Sequence, residues 1–251
     1  MKLRLMAACI LGFTALTAHS AGTSSEPSQK ELAAKYNVQL GIAYLKQGDL
    51  PLAQTKIEKA LKQNPGDSSV QISAGLLYES LGDMDESGRH YSQALKIEPK
   101  NPDIQNTYGA FLCRRGQAEK GEKVLLQAAK SPMNGSPEVA YTNAGTCALS
   151  AGRVDQAEQY FRTALQVRET YPDALMQLAG LALKRNNLMQ ARGFLARFMA
   201  GSTHTADALA LGIRIERAAG DYDAAGDYAQ QLRREFPDSQ QAHQLRDGSL
   251  K

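Results

Sequence analysis

Cysteine offers the most distinctive chemistry in this 251-residue chain, and it occurs three times, as Cys9, Cys113 and Cys147. Cys113 and Cys147 lie 34 residues apart. In an exported protein such an even pair invites a disulfide, while the alternative is two free buried thiols. Cys9 ends the stretch Met6-Ala7-Ala8-Cys9, a loose match to a bacterial lipobox, which makes it a candidate for lipidation. Two features oppose that reading: only eight residues precede Cys9, and Ile10-Leu11-Gly12-Phe13 continues apolar behind it. Other reactive groups are dispersed. His90, His204 and His243 fall in separate stretches. The sequence has no Cys-x-x-Cys, no Gly-x-Ser-x-Gly and no phosphate-cradling glycine loop. The expectation is a non-enzymatic chain with no catalytic residues, no metal site and no cofactor.

The cysteine argument depends on export, and the first residues address it. Lys2 and Arg4 precede an apolar or small run from Leu5 to Ala18, followed by small residues at Ala18 and Ser20. That is the plan of a secretory signal peptide over residues 1–20, cleaved after Ser20. An uncleaved anchor is the alternative, although the run is shorter than the ~20 residues a spanning helix needs. Residues 21–33 open with Ala-Gly-Thr-Ser-Ser-Glu-Pro-Ser, which is linker chemistry. The whole chain carries a net charge of +3, and loss of Lys2 and Arg4 reduces it to +1. So small and so evenly spread a charge argues against a nucleic-acid partner. With 43% hydrophobic and 22% charged residues, the chain has an ordinary globular composition.

The elements that position the cysteines emerge from internal self-similarity. Small turn residues recur between apolar helical stretches at Gly48, Gly82, Gly116, Gly152, Asn186 and Gly220. Their spacings are 34, 34, 36, 34 and 34 residues, the period of the tetratricopeptide repeat, a helix-turn-helix unit. The fold class expected is therefore all-α, an α-solenoid superhelix of six tetratricopeptide repeats over residues 34–239. The units span 34–67, 68–101, 102–135, 138–171, 172–205 and 206–239, with residues 240–251 as a C-terminal tail. The eighth place of the first four units holds Gly41, Gly75, Gly109 and Gly145 on helix A, and the twentieth holds Ala53, Ser87, Gly121 and Ala157 on helix B. Such small residues let the two helices approach closely. The sixth unit is degenerate on helix A but keeps Gly220, Ala225 and Pro237. Ser136-Pro137 is a two-residue insertion that lengthens the turn between the third and fourth units. Asp49, Asp83 and Asp221 stand where they can cap the B helices.

In this register Cys113 and Cys147 both fall on A helices of neighbouring units. Their two-place offset is about 200° of helical rotation, so one side chain can face forward and the other back. A bridge further requires Cα atoms within about 7 Å. The concave surface of the stack would be lined by A-helix residues. At its N-terminal end these are Val38, Ile42, Leu45, Ile72 and Leu76, followed by Asn106 and Arg114. Thr142, Thr146, Met176, Leu183, Arg214 and Arg217 follow, so the expectation is an apolar N-terminal end and a more polar, basic C-terminal end. An apolar groove suits an amphipathic helix or hydrophobic segment of a protein partner; the alternative is that neighbouring units or the N-terminal segment cover it.

Two stretches add a resemblance. Asn106-Thr107-Tyr108-Gly109-Ala110-Phe111-Leu112-Cys113 and Tyr141-Thr142-Asn143-Ala144-Gly145-Thr146-Cys147 resemble the central repeats of the type IV pilus biogenesis pilotin family, of the PilF/PilW type. So do Ala157-Glu158-Gln159-Tyr160-Phe161 and Arg233-Arg234-Glu235-Phe236-Pro237-Asp238-Ser239. The resemblance implies six repeats, a periplasmic location, usually with a lipid anchor to the inner face of the outer membrane, and assistance to the pilus secretin in reaching that membrane and multimerising. The implied partner is the type IV pilus secretin, with other pilus assembly proteins as further candidates. Contact with the outer membrane is implied only if Cys9 is lipidated. The alternative role is a general periplasmic tetratricopeptide scaffold in cell-envelope assembly.

Overall fold

A computed structural model describes residues 28–250. The proposed signal peptide, Cys9 and most of the proposed linker lie outside these residues. Thirteen helices run in the order α1 (Gln29–Gln47), α2 (Leu50–Gln63), α3 (Ser68–Ser80), α4 (Met84–Ile97), α5 (Pro102–Arg114), α6 (Ala118–Ala129) and α7 (Pro137–Ser150). Then come α8 (Val154–Val167), α9 (Pro172–Lys184), α10 (Leu188–Gly201), α11 (Ala206–Ala219), α12 (Tyr222–Glu235) and α13 (Gln240–Arg246). The first twelve form six helix pairs, each packed on the next.

Local chemistry sets the boundaries. The turns inside the pairs pass through the left-handed region at Gly48, Gly82, Gly116, Gly152 and Gly220, with φ between 74° and 80°, and at Asn186 with φ 57°. Glycine and asparagine tolerate that conformation best. Asp49, Asp83, Asn187 and Asp221 accept hydrogen bonds from backbone N–H groups in the first turn of α2, α4, α10 and α12. Ser28 and Glu31 form a reciprocal capping box that starts α1. The helix therefore begins at Gln29, and residues 29–33, expected as linker, are its first turn.

Within each pair the close approach has a constant spacing. A Cβ on Gly75 would lie 2.5 Å from the Tyr91 ring, and one on Gly145 would lie 2.5 Å from Phe161. In both cases a ring sixteen residues later fills the space left by the missing side chain. The sixth unit, expected to be degenerate, keeps the same device one place earlier: a Cβ on Gly212 would meet the Tyr228 ring at 2.9 Å. The glycine-to-turn distance has grown by one residue while the sixteen-residue pairing is unchanged. Ser87 replaces the usual alanine on α4 and donates its buried hydroxyl to Gly75 O at 2.9 Å.

The apolar interior is a chain of small clusters between successive pairs, from Ala34, Ala60 and Val70 at one end to Leu209, Ile213 and Leu232 at the other. That follows from units that cannot bury an apolar face alone. The tail ends the series. Ala242 of α13 and Leu250 are buried against α11 and α12. Here α13 supplies the cover that a seventh unit would otherwise provide.

Candidate functional site

The A helices α1, α3 and α5 carry the apolar part of the concave surface. Val38 and Ile42 of α1 meet Ile72 of α3 and Ile104 of α5 around a groove of about 310 Å³. Ser68, Ser69, Ser73 and Asn101 complete its walls. Val38 and Ile42 stand one helical turn apart, and Ile72 repeats the place of Val38 one period later, so stacking brings the three together. Ile104 escaped the sequence reading because it occupies the third place of its unit rather than a usual groove-facing one. Its apolar character one turn into α5, with Pro102 just before it, was the available signal.

The remaining predicted groove residues stand elsewhere. Leu45 packs against the cluster of Ala53, Ile57, Ala74 and Leu77. Leu76 is exposed and does not line the apolar groove. Asn106 accepts a hydrogen bond from Asn143 Nδ2 at 2.9 Å, linking α5 to α7. Arg114 is engaged by Glu79, donating through Nε at 2.7 Å and Nη2 at 3.1 Å. The same carboxylate accepts from Tyr91 Oη at 2.9 Å, so Glu79 fastens α3, α4 and α5 together. Burial, followed by the charge of Glu79, holds the Tyr91 phenol well above its ordinary range.

Further along, Arg214 of α11 is exposed. Arg217 donates to Leu250 O at 3.0 Å and secures the tail. Thr142, Asn143, Thr146, Asp173, Gln177 and Asp207 give α7, α9 and α11 a polar groove of about 510 Å³ with acidic groups, over Met176 and Phe198.

Cys113 and Cys147 are joined in the structure, with an S–S distance of 2.06 Å and Cα atoms 5.3 Å apart. The bond ties α5 to α7 at the seam where the two-residue insertion falls. Cys147 is fully buried, and a Cβ on Gly121 would lie 2.4 Å from Cys113 Sγ, so the disulfide sits inside the helix packing. The lengthened turn is itself anchored, because Asn134 Nδ2 donates to Ala128 O at 2.9 Å near the end of α6. Among the described residues no group of three or more His, Cys, Asp or Glu side chains could hold a metal ion. No helix among them is long and apolar enough to cross a membrane.

Comparison with known proteins agrees with this architecture. The family model described as "Tetratricopeptide repeat" matches residues 38–102 and 113–174, and further models of the same description match 148–211 and 208–239. The chain belongs to the tetratricopeptide-repeat family. It is 26% identical over 202 residues, 80% of each chain, to the type IV pilus assembly protein PilF of Pseudomonas aeruginosa. Among solved structures it is similar to PilF, with TM-score 0.70 and 25% identity, covering 88% of this chain and all of that one. It is also similar to PilW, described as a widely conserved type IV pilus biogenesis factor, with TM-score 0.73 and 28% identity over 87% of this chain and 99% of that one. In both cases the likeness extends over nearly the whole described superhelix rather than a few repeats.

Proposed function

We propose that this tetratricopeptide-repeat protein is a non-enzymatic periplasmic adaptor in type IV pilus biogenesis. It binds the outer-membrane secretin and promotes its localisation or multimerisation. The observation that carries the reading is the end-to-end similarity to PilF and PilW, both named for type IV pilus assembly or biogenesis. The geometry supports a docking role: the apolar groove of Val38, Ile42, Ile72 and Ile104 is a place for a hydrophobic segment of the partner. Binding the assembly-competent secretin protomer stabilises it by mass action. Anchoring to the inner face of the outer membrane requires a lipid on Cys9, which mass spectrometry of the mature N-terminus reads directly.

The test is deletion of the gene, followed by measurement of secretin oligomers in membrane fractions. The expected result is loss or mislocalisation of the oligomers; unchanged oligomers with intact pili would overturn the reading. A second experiment places Glu at Val38 or Ile42. A buried carboxylate there has no partner, and secretin binding should weaken at least tenfold. Unaltered binding removes this groove as the docking surface.

A further inference from the structure

The solenoid is covered at one end and open at the other. At the C-terminal end, Ala242 of α13 and Leu250 lie over α11 and α12. At the N-terminal end, α1 carries Leu32, Tyr36 and Leu40, all exposed, with Tyr36 63% and Leu40 45% accessible. The three recur every four residues, so they form one stripe along the helix. The terminal unit of a stacked array needs a polar outer face to remain single, and this face is apolar.

The repeat register defines what such a face meets. Tyr36 and Leu40 hold the third and seventh places of the first unit. In the second, fourth and fifth units those places hold Val70 and Ala74, Ala140 and Ala144, and Ala174 and Leu178, all of them buried. Val70 packs with Ala60, Ala144 with Leu125 and Ala174 with Ala164, in each case a residue on the B helix of the preceding unit. Leu52 of α2, also exposed, belongs to the same end. Gln156, at the matching place of the fourth unit, donates to Glu122 of the third at 2.9 Å. Among the described residues no unit precedes the first, so large apolar side chains stand where later units make a helix contact. Residues 21–27, Ala-Gly-Thr-Ser-Ser-Glu-Pro, offer no large apolar side chain to cover them.

Two properties of the stripe indicate its occupant. At 100° per residue, every residue within about 60° of Tyr36 on α1 is Leu, Ala or Gln, whereas Lys30, Glu31, Lys35 and Lys46 lie about 80° or more away. A face without charge meets an identical face without like-charge repulsion. The stripe is also symmetric in sequence, with Leu32 four residues before Tyr36 and Leu40 four residues after it. A two-fold contact requires that residue i of one copy meet residue j of the other, and j meet i. An antiparallel pair of α1 helices centred on Tyr36 satisfies this, with Tyr36 facing Tyr36 and Leu32 facing Leu40.

We propose that the stripe of Leu32, Tyr36 and Leu40 pairs with the same stripe of a second copy, joining two superhelices at their N-terminal ends about a two-fold axis at Tyr36. Val38 and Ile42 lie on the far side of α1, so the dimer keeps both apolar grooves open and presents them together to a partner. The contact is little more than one helix wide, at the low end of specific interfaces, so the pairing is reversible with a dissociation constant of about 1–100 μM. It does not depend on the identity of the partner.

The test is sedimentation velocity of the mature protein from about 1 to 300 μM, a range in which the wild type should pass from monomer to dimer. Tyr36→Glu should raise the dissociation constant at least about tenfold, because it buries two facing carboxylates. It should leave the melting temperature of the dilute protein unchanged, since Tyr36 is exposed. Mild oxidation of Tyr36→Cys should trap a linked dimer, and mixing Leu32→Cys with Leu40→Cys should give the mixed one. Leu32→Cys alone should not, because the two-fold axis holds its two copies about 12 Å apart along the helices, beyond disulfide reach. A protein monomeric throughout, a dimer unaffected by Tyr36→Glu, or efficient trapping of Leu32→Cys with itself would overturn the proposal. So would a monomer whose binding to the secretin, or to vesicles of phosphatidylethanolamine and phosphatidylglycerol, is lost with Tyr36→Glu, since that assigns the stripe to a protein or to the membrane. A Tyr36-centred dimer whose gene can be deleted without change in secretin oligomers supports the pairing and counts against the secretin reading.

Discussion

Reducing the Cys113–Cys147 bridge should have a large and local effect on stability. The bond joins residues 34 apart in sequence. Closing a loop of that length removes about 12.6 cal/mol/K from the unfolded ensemble, or about 3.8 kcal/mol at 25 °C. Chemical reduction is the cleaner perturbation. It retains both sulfur atoms, whereas Cys113→Ala with Cys147→Ala adds the cost of lost packing at the fully buried Cys147. For a chain of this size the loss corresponds to about 8–15 °C in melting temperature. The assay is urea unfolding of oxidised and reduced protein, with hydrogen exchange measured in parallel. A repeat array is stabilised by its units and their nearest-neighbour interfaces. Protection should therefore fall most in α5 to α8, which flank the bond, and least in α1 and α2. Coincident unfolding midpoints would refute the loop-entropy reasoning. Two reactive thiols in the unfolded, unreduced protein would show that the bridge is absent. Uniform loss of protection along the chain would show that the seam is not an independent interface.

Two further predictions follow from the packing. Gly75→Leu should destabilise by at least about 1–3 kcal/mol, because the Tyr91 ring is fully buried and held by Glu79 and cannot move aside. Gly193→Ala should stabilise by about 1 kcal/mol, since nothing lies within 4 Å of the added methyl and α10 gains a better helix former; urea titration of both variants reads the opposite signs. Burial lowers the His90 pKa below its ordinary 6.5, while Glu86 opposes and Arg89 assists; its ring nitrogen meets Gln71 Oε1 at 2.7 Å. The unfolded chain then binds the extra proton first, so stability is fully present above pH 6.5 and falls as pH drops towards the folded-state value. His90→Gln should flatten this fall between pH 7.5 and 5.5, and an unchanged profile would refute the assignment.

The sequence by itself determined the period, and with it the succession of helices, because glycine or asparagine at a left-handed turn and glycine opposite a large side chain are local requirements of one repeating unit. It also singled out Cys113 and Cys147, whose positions on neighbouring A helices, two places apart in the repeat, follow from the same register. It read helix A of the sixth unit as degenerate because turn and packing glycine were read in one fixed frame, whereas Gly212 and Tyr228 moved together by one residue against Gly220. The tertiary structure alone decided which side chains remain free on the concave face. Arg114 and Arg217 look like available cations in the sequence, yet Glu79 and the carbonyl of Leu250 hold them. Asp173 and Asp207 look like ordinary helix starts, yet superhelical stacking places them in one groove with Thr142. The physical reason is range. Turns and close helix pairing are fixed within a few tens of residues, while the charge and shape of a groove are sums over units that only stacking brings together.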